Sequence, residues 1–279
     1  MQAQALLAEG VAALRAAGID GATRDARWLL AYALDLPPER LTLALQEPVT
    51  APQLAAFRDA IAARAQHKPV AQITGQRLFW GRSFRVTQDV LDPRPETETL
   101  IEAALDLPFA RLLDLGTGSG AILLTLLAER SEATGTGGDF AAAALDVALH
   151  NARSLGVAQR ADLRRSDWYS AVTGRFDLIV SNPPYIAAPA HASLAPDTRL
   201  WEPRMALVPA ACDGTGLAAY RMITAKACDF LTPQGWLMVE IGLGQGPEVA
   251  ALMTGAGMRA PRILPDMTGR GRVVAAQAP

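Results

Sequence analysis

The chain has 279 residues, with 26 Lys+Arg against 28 Asp+Glu and a formal net charge of −2. Half of it is apolar, which is enough for a sizeable core and too much for a disordered chain. Near neutrality excludes the strong basic field of a general nucleic-acid binder, and two cysteines, Cys212 and Cys228, exclude a disulfide framework or a structural zinc site. Both thiols are expected to be buried and neutral. No stretch reaches the ~18–20 uncharged apolar residues of a membrane span. The N-terminus lacks the basic start and cleavage site of a signal peptide. The expectation is a soluble, cytoplasmic protein with no membrane partner.

Residues 1–65 read as helices. Leu7, Val11 and Leu14 recur at helical spacing. Thr23 is placed to cap a run containing Trp28, Leu29 and Tyr32. Pro37 and Pro38 break that helix. Thr50-Ala-Pro-Gln53 has the spacing of a capping box, followed by Leu54, Phe57 and Ile61 on one face. Leu78 and Trp80, then Phe84 and Val86, alternate around Gly81-Arg82-Ser83 and predict a short hairpin that connects two domains. Residues 1–85 carry ten basic and seven acidic residues. This mild surplus makes the helical segment the candidate for docking a partner. Asp92-Pro-Arg-Pro-Glu-Thr-Glu98 is a stiff, charged entry into a helix around Leu100–Leu105.

From residue 110 strands and helices alternate, which predicts a parallel sheet with helices on both faces. Strands are expected at 111–115, ending at Asp139, at 176–181, at 236–241, and near 262–264 and 272–276. Helices are expected at 121–130, after Asp139 through Leu155, and at 214–230. The weak second strand, Ala133-Thr-Gly-Thr-Gly-Gly138, is poor in β-formers.

Three motifs carry chemistry. Gly116-Thr117-Gly118-Ser119-Gly120 follows a strand and opens a helix, so a ligand can approach the helix N-terminus. Asp139 lies 23 residues after Gly116, a spacing that suits a ribose diol. A nucleoside-type cofactor is implied. The turn departs from the dinucleotide spacing, which favours S-adenosylmethionine over NAD. Asn182-Pro183-Pro184-Tyr185 follows an apolar strand, where open α/β sheets place their ligands. The prolines stiffen the turn. Asn182 supplies a carbonyl acceptor, the prolines supply backbone carbonyls, and Tyr185 supplies a flat face. Together they suit a planar NH₂ group. Trp168, beside Asp167, is placed to stack on an adenine, although core packing of a large aromatic is the plainer alternative. The histidines, His67, His150 and His191, lie outside every motif. Arg160, Arg164 and Arg165 read as a solvated basic face.

The sequence resembles the HemK/PrmC family, the protein-glutamine methyltransferases that modify peptide chain release factors. The resemblance runs over nearly the whole chain. It covers Lys68–Gly75, Phe79–Gly81, Pro93–Glu98, Asp114–Gly120, Asn182–Tyr185, Trp201–Pro203, Asp213–Arg221, Glu240–Gly242 and Gly269–Val274. The Asn-Pro-Pro-Tyr run is shared with amino-group methyltransferases of DNA and RNA. The Arg-Pro-Glu-Thr-Glu block points to the release-factor branch. The resemblance implies an N-terminal helical substrate-recognition domain (1–70), a hairpin linker (71–92) and a Rossmann-like class I methyltransferase domain (93–279). It implies S-adenosylmethionine held by Gly116–Gly120, Asp139, Trp168 and Asn182. It implies that Asn182–Tyr185 grip the glutamine of the release factor's Gly-Gly-Gln loop. The further expectation is a monomer with no metal and no stable nucleic-acid partner. Departures are Asp92 in place of an apolar residue, Phe140 after the ribose acid, the glycine-rich second strand, and Val208–Cys212 for a Gly-containing stretch. The rival substrates are a nucleic-acid adenine and a ribosomal-protein glutamine. A methyltransferase fold without catalysis is opposed by the intact motifs.

Overall fold

A computed structural model of the chain describes residues 1–210 and 214–279. Cys212 and Asp213 lie outside the described residues. The chain forms two compact units, one of residues Met1–Gln76 with Ala195–Trp201, the other of Arg77–Leu194 with Glu202–Pro279. No helix among the described residues is long and apolar enough to cross a membrane.

In the first unit α1 (Ala3–Ala16), α2 (Ala22–Ala33), α3 (Leu41–Ala44), α4 (Ala51–Ala65) and α5 (Val70–Thr74) surround a core that includes Leu6, Leu14, Leu30, Phe57 and Ile61. The capping box forms at α4, where the Thr50 N–H donates to Gln53 Oε1 at 3.0 Å. Thr23 does not cap α2. Gly21, in the left-handed conformation, holds that position and Thr23 lies inside the first turn. The run of α2 turns Leu29 inward, while Trp28 and Tyr32 are exposed. Buried Arg64 bonds Asp25 at 2.8 Å and Asp197 at 2.8 Å, joining residues 195–201 to the helices of this unit. Residues 1–65 hold six basic and seven acidic residues. The expected basic surplus therefore resides in Lys68, Arg77, Arg82 and Arg85, and the helices themselves are not basic.

The second unit begins with a hairpin of β1 (Gln76–Phe79) and β2 (Arg82–Arg85). Trp80 and Gly81 both have positive φ, as a two-residue hairpin turn demands. The inward residues are Phe79 and Phe84, which meet edge to face at 5.9 Å. Leu78 is exposed, so the expected alternation on β1 runs one residue out of phase.

The chain continues through α6 (Glu98–Leu105), β3 (Arg111–Leu115), α7 (Ala121–Glu129), β4 (Thr134–Asp139), α8 (Ala142–Ser154), β5 (Ala161–Arg165) and β6 (Phe176–Ser181). It then gives α9 (Pro196–Trp201) to the first unit and returns through α10 (Arg204–Leu207), α11 (Ala218–Phe230), β7 (Leu231–Glu240), α12 (Gly246–Gly255), β8 (Arg259–Pro265) and β9 (Gly271–Gln277). The sheet order is β5-β4-β3-β6-β7-β9-β8, with β9 antiparallel to both its neighbours and the other pairings parallel. Alternate strand residues feed two cores. Leu112, Leu178, Val180 and Met238 enter one; Leu113, Ile179, Leu237 and Val239 enter the other. The strand order reverses between β3 and β6, which creates a crevice at their carboxyl ends.

The glycines of β4 have a packing cause. A Cβ on Gly135 would meet Leu123 at 2.5 Å, and one on Gly137 would meet Leu123 at 2.8 Å and Leu163 at 2.9 Å. Bare backbone lets α7 lie close on the sheet. Gly135→Val should overfill this contact and lower stability by roughly 1–3 kcal/mol, read as a fall in denaturant midpoint.

Candidate functional site

Two segments end side by side. Asp114 of β3 is registered with Val180 of β6. The buried Ser181 hydroxyl donates to the Leu115 carbonyl at 2.6 Å. The next residues on the two strands are Gly116 and Asn182, so the glycine turn and the Asn-Pro-Pro-Tyr run start at adjacent points.

The glycine turn is held from below and from the side. Gly116, Gly118 and Gly120 all have positive φ, which only glycine adopts without strain. Gly116 and Thr117 donate backbone N–H groups to the Gly138 carbonyl at 2.8 and 3.0 Å. Gly118 donates to Asp139 Oδ2 at 2.9 Å, and Ala141 donates to Asp139 Oδ1 at 2.9 Å. Asp139 therefore closes the turn as well as ending β4, and each oxygen keeps a lone pair for a further donor. Burial raises its carboxyl above the ordinary range against these hydrogen bonds. Ser119 is buried and its carbonyl accepts from Asn151 Nδ2 at 2.8 Å. Asn151 also pairs with the Arg85 backbone on β2.

Asp114 sits under this turn and is fully buried. Burial pushes its carboxyl up to about 7, although the Thr117 hydroxyl donates to Oδ2 at 2.7 Å. Its Oδ1 has no hydrogen-bond partner among the described residues. Trp168 lies beyond β5, half-buried and at positive φ, an uncommon state for an aromatic residue. Its carbonyl accepts from buried Ser166. Part of its side chain packs on the core that holds Tyr169 and Tyr220, so the packing alternative is real for that part. Asp167 is exposed. Phe140 is exposed beside Asp139, with the Arg165 guanidinium 5.6 Å from its ring centre.

Around Asn182–Tyr185 the chain is tightly fixed. Pro183 is buried, and Asn182, Pro184 and Tyr185 are half-buried. The Tyr185 carbonyl accepts from Gln245 Nε2 at 3.1 Å. The same carboxamide accepts from the Gly242 N–H at 2.9 Å and the Tyr220 hydroxyl at 3.3 Å. A Cβ on Gly216 would meet the Tyr185 carbonyl at 2.2 Å, and one on Gly242 would meet its ring at 3.0 Å. Burial pushes the Tyr185 hydroxyl up to about 12, so it stays protonated. Asn182 Nδ2 donates to the Thr97 hydroxyl at 3.3 Å, and Thr97 donates to Glu240 Oε2 at 2.5 Å.

Other expectations resolve separately. Arg160 donates to the carbonyls of Leu127, Arg130 and Ala133, Arg164 pairs with Asp162, and Arg165 covers Phe140. They do not form one solvated face. Cys228 is half-buried, with burial raising its thiol. Asp92 is buried beside Arg77 at 3.4 Å, which accommodates an acid where an apolar residue was expected. Arg94 bonds both oxygens of buried Glu202, at 2.7 and 2.6 Å. A surface cleft of about 270 Å³ lies at the opposite, amino-terminal ends of β3–β6, lined by Arg111, Thr134 and Asp162, and holds none of the motif residues.

Sequence reasoning missed Asn151 and Gln245 and left Thr97 and Glu240 without roles. Asn151 had a signal: it is a polar residue on the buried stripe Ala144, Val147, Ala148 and Ala152. Gln245 had none, because it lies in a loop between motifs.

This fold and this pair of loops define a class I methyltransferase. The PrmC N-terminal domain family matches residues 5–75, and the methyltransferase small domain family matches residues 88–200. A release factor glutamine methyltransferase of Cereibacter sphaeroides is 56% identical over 279 residues, covering 100% of this chain and 99% of that one. One of Rhodospirillum rubrum is 44% identical, covering 98% of this chain and 84% of that one. The crystal structure of a methyltransferase from Pyrococcus furiosus superposes with a TM-score of 0.55 at 15% identity, covering 79% of this chain and 98% of that one. The chain belongs to the release factor glutamine methyltransferase family.

Asp114, Glu202 and Glu240 are buried and each is pushed up to about 7. A raised carboxyl value means the folded state holds its proton more tightly than the unfolded chain. The resulting stability is full below the ordinary carboxylate values and is lost as pH rises through about 7. The unfolding midpoint should therefore fall between about pH 5 and about pH 8, and Glu240→Gln should flatten that slope.

Proposed function

We propose that the chain transfers the methyl group of S-adenosylmethionine to the side-chain amide nitrogen of the glutamine in the Gly-Gly-Gln loop of peptide chain release factors. The observation that carries this reading is the abutment of the glycine turn and Asn182–Tyr185 at the ends of β3 and β6, tied by Ser181. The release-factor specificity rests on the full-length relatives.

The residues fit the cofactor. A Cβ on Gly116 or Gly118 meets nothing within 4 Å among the described residues, so space is open above the turn. In this reading Asp139 takes the ribose hydroxyls and Trp168 the adenine face. Gly116, Thr117, Gly118, Ser119 and Gly120 would cradle the group, with Asn182 at its edge. When bound, the cofactor supplies an electrophilic methyl on a sulfonium.

The acceptor is the harder half, because an amide nitrogen's lone pair is delocalised into its carbonyl. In this reading the Asn182 side-chain oxygen and the Pro183 carbonyl accept the two hydrogens of the glutamine NH₂. They aim the nitrogen and stabilise the positive charge that develops on it. Pro184 stiffens the loop and Tyr185 offers its ring to the amide plane. Proton loss follows transfer and goes to water. Residues 1–70 are assigned to holding the body of the release factor, residues 71–92 to the link, and residues 93–279 to catalysis.

Asn182→Ala should lower kcat roughly 100-fold while leaving cofactor affinity nearly unchanged. Labelled S-adenosylmethionine tests the substrate: wild-type enzyme should label a release factor and spare its Gln→Ala loop variant. Label on DNA and none on the release factor would select the adenine reading instead.

A further inference from the structure

The orientation of Asn182 is the weak point of any mechanism that uses its oxygen. A carboxamide presents oxygen on one side and NH₂ on the other, and a half-turn exchanges them. An NH₂ facing the substrate NH₂ would repel it. Something must hold the group the right way round, and Asn182 itself has no means to do so.

Resting on the reading above, we propose that Thr97 and Glu240 are positioning residues that fix the Asn182 carboxamide with its oxygen toward the substrate. With Glu240 ionised, the hydrogen-bond chain runs in one direction only. Glu240 is buried at the end of β7, and as a carboxylate it can only accept. Thr97 has a single hydroxyl hydrogen, and at 2.5 Å from Oε2 that hydrogen belongs to Glu240. The Thr97 oxygen is left as an acceptor alone. Its partner at 3.3 Å must therefore be the Nδ2 of Asn182, and Oδ1 falls on the other side. With Glu240 ionised the assignment follows from the network, whichever way the amide is drawn. Burial is the largest influence on Glu240 and opposes its ionised form; the Thr97 hydrogen bond, Arg272 and Arg94 favour that form, and Glu96 opposes it.

Thr97 has a competing explanation as a helix cap, since it stands at the N-cap position of α6. Its hydroxyl makes no cap hydrogen bond, however. The three residues lie far apart in sequence, separated by 85 and 143 positions from Thr97. They belong to three different elements of the same unit, the Arg-Pro-Glu-Thr-Glu segment, the acceptor loop and the end of β7.

The test compares Thr97→Val, which keeps the shape and removes the hydroxyl, with Thr97→Ser, which keeps the hydroxyl, at about pH 8 where Glu240 is ionised. Thr97→Val should lower kcat on a release factor about 10- to 100-fold, with cofactor affinity by calorimetry within about twofold of wild type. Thr97→Ser should recover most of the rate. A kcat for Thr97→Val within about twofold of wild type, equal losses of rate and cofactor affinity, or failure of Thr97→Ser to recover would each overturn the proposal. Side-chain amide NMR of Asn182 reads the same orientation without any substrate. Its Nδ2 protons should be protected from solvent exchange in wild type and Thr97→Ser and unprotected in Thr97→Val; equal protection in all three would overturn it too. If wild type leaves the release factor unlabelled, the substrate reading falls, and the NMR outcome still decides the role of Thr97 and Glu240.

Discussion

Two parallel strands that lie side by side and then send the chain to opposite sides of the sheet make the feature on which the site depends. β3 leads to β4 and β5, and β6 leads to β7 and the β9–β8 pair. Helices cannot fill the gap this leaves at the carboxyl ends, so backbone there stays open to a ligand. Ser181 closes the floor of the gap by bonding the Leu115 carbonyl. With that bond in place the glycine turn and the Asn182–Tyr185 loop leave from adjacent points, and in the proposed reading a donor and an acceptor bound to them would be neighbours.

The site is built from buried acids, and that has a cost in stability. Asp114, Asp139 and Glu240 are each displaced upward by burial, against the hydrogen bonds that favour their ionised forms. A core designed for stability alone would hold apolar residues in these places. The acids are instead tied to hydroxyls and backbone N–H groups that belong to the two functional loops: Thr117 and Gly118 of the turn, and Thr97 behind Asn182. Trp168, beside these loops, also carries a positive φ, as do five other non-glycine residues among those described. Rigidity of the loops is what these unfavourable terms produce.

The framework was legible because its signals are local. The apolar strand Phe176–Ser181 and the glycine turn each depend on a few consecutive residues, and Asp139 is found by its spacing from that turn. The same holds for the capping box at Thr50. Failures arose where a backbone conformation or a distant neighbour decides the outcome. Thr23 was displaced as a cap by Gly21, whose left-handed backbone sets the helix start. Leu78 and Phe79 are both apolar, and only the positive φ at Trp80 and Gly81 determines which one turns inward. Arg160 looks like a surface charge in sequence, yet it gathers three carbonyls at the end of α7.

The glycine-rich strand β4 shows why propensity misleads at such sites. Read alone, Thr134–Asp139 is a poor strand, and a looser cofactor edge is the natural expectation. Gly135 and Gly137 are instead occupied from above, because Leu123 of α7 fills the space their side chains would take. Close approach of α7 brings its N-terminus, and the turn before it, down onto the carbonyl of Gly138. The same absence of side chains therefore weakens the strand as an isolated segment and tightens the turn it supports. Local propensity and tertiary packing pull in opposite directions here, and packing prevails because each glycine is covered on a buried face.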